Sequence, residues 1–148
     1  MSKFWLVVGA ISLAVAIILI GCNLSAPEKA GELGEQGHEL EREGRYDEAI
    51  EKYTRAIELL PESLGFRLMR ANAYMNKGDY DSAIMDYTEI IELFPEPYGK
   101  EGYFKRGKAY KAKSDYEHAI ADFEKAISMS SDSEFINRVQ SELEKLKQ

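Results

Sequence analysis

The 148-residue chain has one cysteine and two histidines. A single cysteine, Cys22, rules out an intrachain disulfide. The histidines, His38 and His118, lie 80 residues apart, and neither has a second imidazole or thiol at metal-ligand spacing, so no metal or other cofactor is expected. Positive charge is also scarce, with 19 Lys and Arg against 26 Asp and Glu and a formal charge of −7. Lys3 is the only charge before Cys22, so the remainder carries 18 basic and 26 acidic residues, a net of −8. That sign excludes a basic track for nucleic acid and a polybasic patch for anionic lipid. A phosphate-cradling glycine loop is missing too, because Gly31, Gly34 and Gly37 have neither a preceding strand nor the lysine such a loop needs. Carboxylate pairs such as Glu41/Glu43, Asp79/Asp81 and Asp115/Glu117 belong to helix ends and solvated faces, where the helix field favours acids near N-termini. No catalytic constellation is present, and the chain reads as a non-enzyme.

Long apolar runs are limited to one. Phe4 to Cys22 is nineteen residues without a charge, and polar residues begin at Asn23. The run is long enough to span a bilayer as a helix, which takes roughly 20 residues, and longer than the roughly 7–15 of an ordinary signal-peptide core. Its end, Leu19-Ile20-Gly21-Cys22, resembles the lipobox of bacterial lipoproteins. That resemblance implies a diacylglyceryl group on the Cys22 thiol, cleavage of residues 1–21 as a signal peptide, and acylation (palmitate, for instance) of the new N-terminus. An uncleaved anchor is the alternative. One acyl chain anchors only marginally, whereas two or three hold firmly. Asn23, in place of an Asp, implies the outer membrane facing the periplasm, or the extracytoplasmic face of the plasma membrane in a single-membrane cell. Residues 22–30 read as a short polar tether, its Asn23–Ala30 part (NLSAPEKA) reaching on the order of 25 Å.

The rest of the chain, 31–148, is organised by a repeat. Ala49, Ala83 and Ala119 stand 34 and then 36 residues apart. Tyr46, Tyr80 and Tyr116 precede them by three, Ile50, Ile84 and Ile120 follow, and Tyr53, Tyr87 and Phe123 come next. This spacing resembles the tetratricopeptide repeat. The resemblance implies an all-α superhelical solenoid of three helical hairpins, with repeats at about 30–63, 64–97 and 100–133, and a capping helix at 134–148. Helices are expected over Gly31–Glu43 and Tyr46–Leu60, Leu64–Lys77 and Tyr80–Phe94, Glu101–Lys113 and Tyr116–Met129. A last one over Ser133–Gln148 has its apolar face on Phe135, Val139, Leu143 and Leu146. A lone hairpin cannot bury its apolar side, but stacked copies close a continuous core. Gly44 and Gly78 punctuate the hairpin turns, Pro61 and Pro95 the hairpin ends. Ser114 and Ser131 stand at the corresponding places of the third hairpin. Gly37 is expected to admit its partner helix closely, whereas Gly34 has no evident packing role.

Tetratricopeptide domains bind peptides or protein surfaces in a concave groove lined by the first helix of each hairpin. By position the groove comprises Gly34, His38, Glu41 and Arg42, then Leu68, Asn72, Met75 and Asn76, then Phe104, Lys108, Lys111 and Ala112. His38, Leu68, Asn72, Met75, Phe104, Lys108 and Lys111 are the candidate peptide-binding residues, with Phe104 as an exposed aromatic anchor. Some family members clamp a chaperone's C-terminal carboxylate with Lys, Asn and Arg. The corresponding places here hold Gly34, His38, Met69, Glu101 and Lys105, and four of the five do not match. The sequence thus points to a membrane-tethered interaction module with a protein or peptide partner. A structural lipoprotein that self-associates without a peptide ligand is the alternative.

Overall fold

The computed structural model describes residues 25–146, so the apolar segment, the lipobox-like Leu19–Cys22 and the Cys22 lipidation site lie outside the described residues. Among the described residues seven helices follow one another: α1 (Ala26–Arg42), α2 (Tyr46–Leu59), α3 (Leu64–Lys77), α4 (Tyr80–Leu93), α5 (Gly99–Ala112), α6 (Tyr116–Ser128) and α7 (Ser133–Glu144). Each packs on the next, pairing as α1/α2, α3/α4 and α5/α6 with α7 closing the stack. This is the all-α solenoid of three hairpins and a trailing helix. Among the described residues no helix is long and apolar enough to cross a membrane.

Why the hairpins close is visible in the buried residues. Ala49, Ala83 and Ala119 are each 0% exposed, as the helix-contact reading requires. Tyr53, Tyr87 and Phe123 fill the volume beside them. A Cβ on Gly37 would stand 2.6 Å from a Tyr53 ring carbon, and one on Gly107 2.7 Å from Phe123, so glycine is what lets these rings lie against the facing helix. The turn residues Gly44 and Gly78 adopt positive φ of 77° and 85°, and Ser114 does the same at 66° despite its side chain. The third turn therefore keeps the geometry of the first two while carrying a residue that disfavours it.

Two expectations are corrected. The first helix starts at Ala26 and not at Gly31, so the stretch read as tether is mostly helix. Ser25 is its N-cap, and the Glu28 carboxylate reaches back to accept from the Ser25 N–H and hydroxyl, both at 2.8 Å. With Pro27 in the first turn, this is a strong helix start. Gly34 also has a packing role, since a Cβ there would lie 2.6 Å from Phe66 Cε1. The aromatic edge of the second hairpin rests directly on the backbone of the first.

Between hairpins runs a polar ladder that the apolar pattern does not reveal. Arg70 of α3 pairs with Asp86 of α4 and donates to Thr54 of α2. Arg106 of α5 pairs with Asp122 of α6 and donates to Thr88 of α4. Each arginine thus ties its own hairpin together and reaches back to the one before.

Candidate functional site

The first helices of the three hairpins, α1, α3 and α5, all contribute side chains to a shared concavity. Its cavity of about 460 Å³ is lined by His38 and Glu41 from α1, by Met69, Asn72, Met75 and Asn76 from α3, by Tyr87 from α4, and by Lys105 and Lys108 from α5. Such a volume suits a few residues of an extended peptide.

Hydrogen bonds fix the polar lining. Tyr53 Oη donates to Glu41 Oε2 at 2.9 Å, and Asn76 Nδ2 donates to Glu41 Oε1 at 2.9 Å, so both oxygens of that carboxylate are engaged. Tyr87 Oη donates to Asn72 Oδ1 at 2.9 Å, which leaves the Asn72 amide N–H groups for the cavity. Burial pushes the Tyr53 and Tyr87 phenols well above their ordinary value, and the Glu41 bond adds to the effect at Tyr53. Both hydroxyls consequently stay protonated donors, toward Glu41 and Asn72 respectively. Lys105 and Lys108 enter no ion pair among the described residues, and Lys108 is exposed. The two lysines are one turn apart on α5, with Cβ atoms about 5–6 Å from each other.

Of the residues picked from sequence, His38, Asn72, Met75 and Lys108 come together around this cavity. Three go elsewhere. Leu68 is half-buried against the cluster of Ala71, Ala83, Tyr87 and Ile90. Lys111 donates to Glu142 Oε2 of α7 at 2.7 Å. Phe104 corrects the reading of an exposed anchor: it is 7% exposed, with ring centroids 5.8 Å from Phe123 and 5.9 Å from Phe135. It belongs to the core that α7 closes. Met69 and Lys105, which the family resemblance gives only as positions of the carboxylate clamp, line the cavity, and Met69 is 38% exposed. The clamp itself cannot form at its first position, because Gly34 lies under Phe66. Among the described residues no group of three or more His, Cys, Asp or Glu could hold a metal ion.

Comparison with known proteins agrees with this geometry. Family profiles described as tetratricopeptide repeat match residues 35–96 and 101–133. No curated protein sequence matches the chain. Among solved structures, the first such domain of Spaghetti (RPAP3) bound to the HSP90 peptide SRMEEVD is 27% identical, covers 82% of this chain and 92% of its own, and superposes with a TM-score of 0.67. The second domain of human RPAP3 in complex with the HSP70 peptide SGPTIEEVD is 28% identical, with 81% and 96% coverage and a TM-score of 0.67. The Yersinia enterocolitica type III secretion translocator chaperone SycD has the same fold at 20% identity, with 78% and 87% coverage and a TM-score of 0.68.

Proposed function

The chain belongs to the tetratricopeptide repeat family, and from that premise we propose that it binds an extended peptide of a partner protein in its concave groove while lipid on Cys22 holds it to a membrane. The observation that carries the binding half is the cavity between α1, α3 and α5, with oriented amide donors at Asn72 and, at its α5 side, two lysines that enter no ion pair among the described residues. Asn72 suits the main chain of an extended ligand, Met69 and Met75 suit an apolar side chain, and Lys105 and Lys108 suit carboxylates. Relatives at 27% and 28% identity hold chaperone peptides ending in EEVD, which supports a peptide as the ligand class. The missing clamp positions argue that the partner is another protein than those chaperones. The domain is a scaffold and not an enzyme.

The membrane half rests on sequence: a nineteen-residue uncharged run, the Leu19-Ile20-Gly21-Cys22 box at its end and a polar chain from Asn23 onward. Asn23 after the cysteine favours the outer membrane facing the periplasm. The protein is then an adaptor of the cell envelope that recruits its partner at the bilayer.

A photo-crosslinking residue at Met69 of the full chain, with mass spectrometry of the adduct, tests the groove. Crosslinks to one partner that vanish with Asn72→Ala are the expected result. A normal melting curve with no adduct from Met69 or from Lys108 would overturn it. For the anchor, the intact mass of membrane-extracted protein should show lipid on residues 22–148, and Cys22→Ser should leave the precursor. An unmodified full-length mass refutes lipidation.

A further inference from the structure

The turns of the solenoid lie on two opposite edges, and the chain enters the domain on one of them. Because each hairpin is antiparallel, the starts of α1, α3, α5 and α7 share an edge with the ends of α2, α4 and α6. Contacts agree with this sharing. Lys29 and Leu59 line one cavity, Arg67 Nη1 donates to the Pro61 carbonyl at 2.7 Å, and Lys100 Nζ donates to Ser130 Oγ at 3.3 Å. Helix α1 starts here, at Ala26, so the link from Cys22 joins this edge.

The two edges differ in chemistry. The far edge, where first helices end and second helices begin, is laced with ion pairs: Arg45 with Glu43 and Glu48, Lys77 with Asp47, and Lys113 with Asp81. The entry edge instead exposes Leu59, Leu93 and Tyr98, at 36%, 49% and 50%. All four prolines of the chain, Pro27, Pro61, Pro95 and Pro97, are exposed on it as well. Proline has no backbone N–H to strand, and leucine gains by leaving water, so this edge is cheap to desolvate. Tyrosine, an apolar ring with a polar tip, suits the boundary between lipid headgroups and acyl chains. The exposed acids Glu62, Glu92 and Glu96 on the same edge set it against an anionic surface.

We propose that the entry edge is a membrane-contact surface, which seats Leu59, Leu93 and Tyr98 in the interface of a zwitterionic bilayer. The inference rests on the chain being held to a bilayer through residues 1–24, and it serves either anchor, lipid on Cys22 or the uncleaved apolar run. The occupant follows from place, since Asn23 and Leu24 alone separate Cys22 from the cap of α1 at this edge. Attachment so close gives each weak side-chain contact a high effective concentration of lipid. A single link leaves the tilt of the domain free, whereas contacts from α2, α4 and the α5 cap fix it. The hairpins then stand on end, and the concave face opens sideways into the aqueous layer.

Tryptophan fluorescence of the full chain in phosphatidylcholine vesicles tests the contact. Trp5 is the chain's one tryptophan, so Trp5→Phe gives a silent background for Tyr98→Trp, Leu93→Trp and a far-edge control, Tyr116→Trp. Tyr116 is 51% exposed, which matches Tyr98. Bromine-labelled acyl chains should quench Tyr98→Trp and Leu93→Trp at least about twofold and leave Tyr116→Trp unchanged. Leu59→Asp together with Leu93→Asp should abolish the quenching of Tyr98→Trp in protein that melts normally and still floats with the vesicles. Partial replacement of the lipid by anionic phosphatidylglycerol should also reduce it. Equal quenching at both edges, or none at Tyr98→Trp in protein that floats, overturns the inference and leaves the anchor standing. Tyr98→Trp shielded from aqueous acrylamide but untouched by bromine gives the edge to a second copy, and overturns it too. Protein that fails to float overturns both the anchor and the edge contact.

Discussion

Arg70 and Asp86 meet through two parallel hydrogen bonds, Nε to Oδ2 at 2.9 Å and Nη2 to Oδ1 at 2.6 Å. The pair is nearly dry, with side chains 16% and 5% exposed. Burial raises the Asp86 carboxyl and the guanidinium pulls it back, and the two-point geometry is that of an ionised carboxylate. Removing one partner strands a buried charge, which typically costs about 3–5 kcal/mol, whereas replacing both by apolar residues is often neutral. Arg70→Met is therefore expected to lower the urea-unfolding free energy by about 3 kcal/mol or more. Adding Asp86→Leu should recover most of that loss. Equal stability of the single variant and the parent would refute a structural role for the ladder.

Glycines 31 and 34 should respond in opposite directions to the same change. Nothing lies within 4 Å of a Cβ built on Gly31, so Gly31→Ala should stabilise α1 by about 0.5–1 kcal/mol. Gly34→Ala drives a methyl into the Phe66 ring and should cost about 1–3 kcal/mol. Thermal melting of the two variants side by side checks the pair of signs.

Ser114 holds a left-handed turn with φ of 66°, where an L side chain is disfavoured by about 1–2 kcal/mol. Ser114→Gly should raise the melting temperature, and Ser114→Val should lower it. A rise with valine would contradict the turn geometry.

Phe104 now belongs to a stability experiment. Truncation to alanine removes a ring packed on Phe123 and Phe135 and should cost about 3–5 kcal/mol. Any loss of partner binding in that variant would follow from unfolding, so an unchanged melting temperature is the outcome that contradicts the assignment.

Glu142 supplies an acid-sensitive contact. Its ordinary value of 4.5 is lowered to about 2 by Lys111 and Lys145, so the folded state binds the proton less readily than the unfolded chain. The stabilisation is complete above about pH 4.5 and fades as pH falls from 4.5 toward 2. Glu142→Gln should cost about 1.5 kcal/mol at pH 7 and almost nothing near pH 2. A constant difference between variant and parent across that range would remove Glu142 from the acid response.

Much of the fold was legible because the repeat is written in small residues. Ala49, Ala83 and Ala119 tolerate no larger side chain where helices touch, so their spacing reports the hairpin period directly. The start of α1 was harder to read, since SAPEKA lacks apolar periodicity and its signal is the Ser25–Glu28 cap. Asn72, Met75, His38 and Lys108 were readable as groove positions because they recur on the inner face of the first helices. Phe104 shares that register, but its ring turns toward Phe135, a residue 31 positions later, and no local pattern encodes that choice. The Arg70–Asp86 pair is likewise invisible along the chain, since its members sit 16 positions apart on different helices. Lys111 was misjudged for the same reason: its partner, Glu142, lies 31 residues on.

The early start of α1 has a mechanical consequence. Only Asn23 and Leu24 separate Cys22 from the capped Ser25, so an acylated Cys22 would connect to a stiff rod through a link of roughly 10 Å. An eight-residue leash of about 25 Å would let the domain sweep a volume more than ten times larger. With lipid on Cys22, as proposed, the shorter link would turn the bilayer into a mounting plate: the first hairpin would move with its lipid, and the groove would sample a thin layer above the membrane. Partners reaching that layer would then meet the groove at high local concentration, and those held farther out would be beyond its range. Inserting a flexible Gly-Ser segment after Leu24 would trade that confinement for reach, changing which proteins the groove can capture without altering the groove at all.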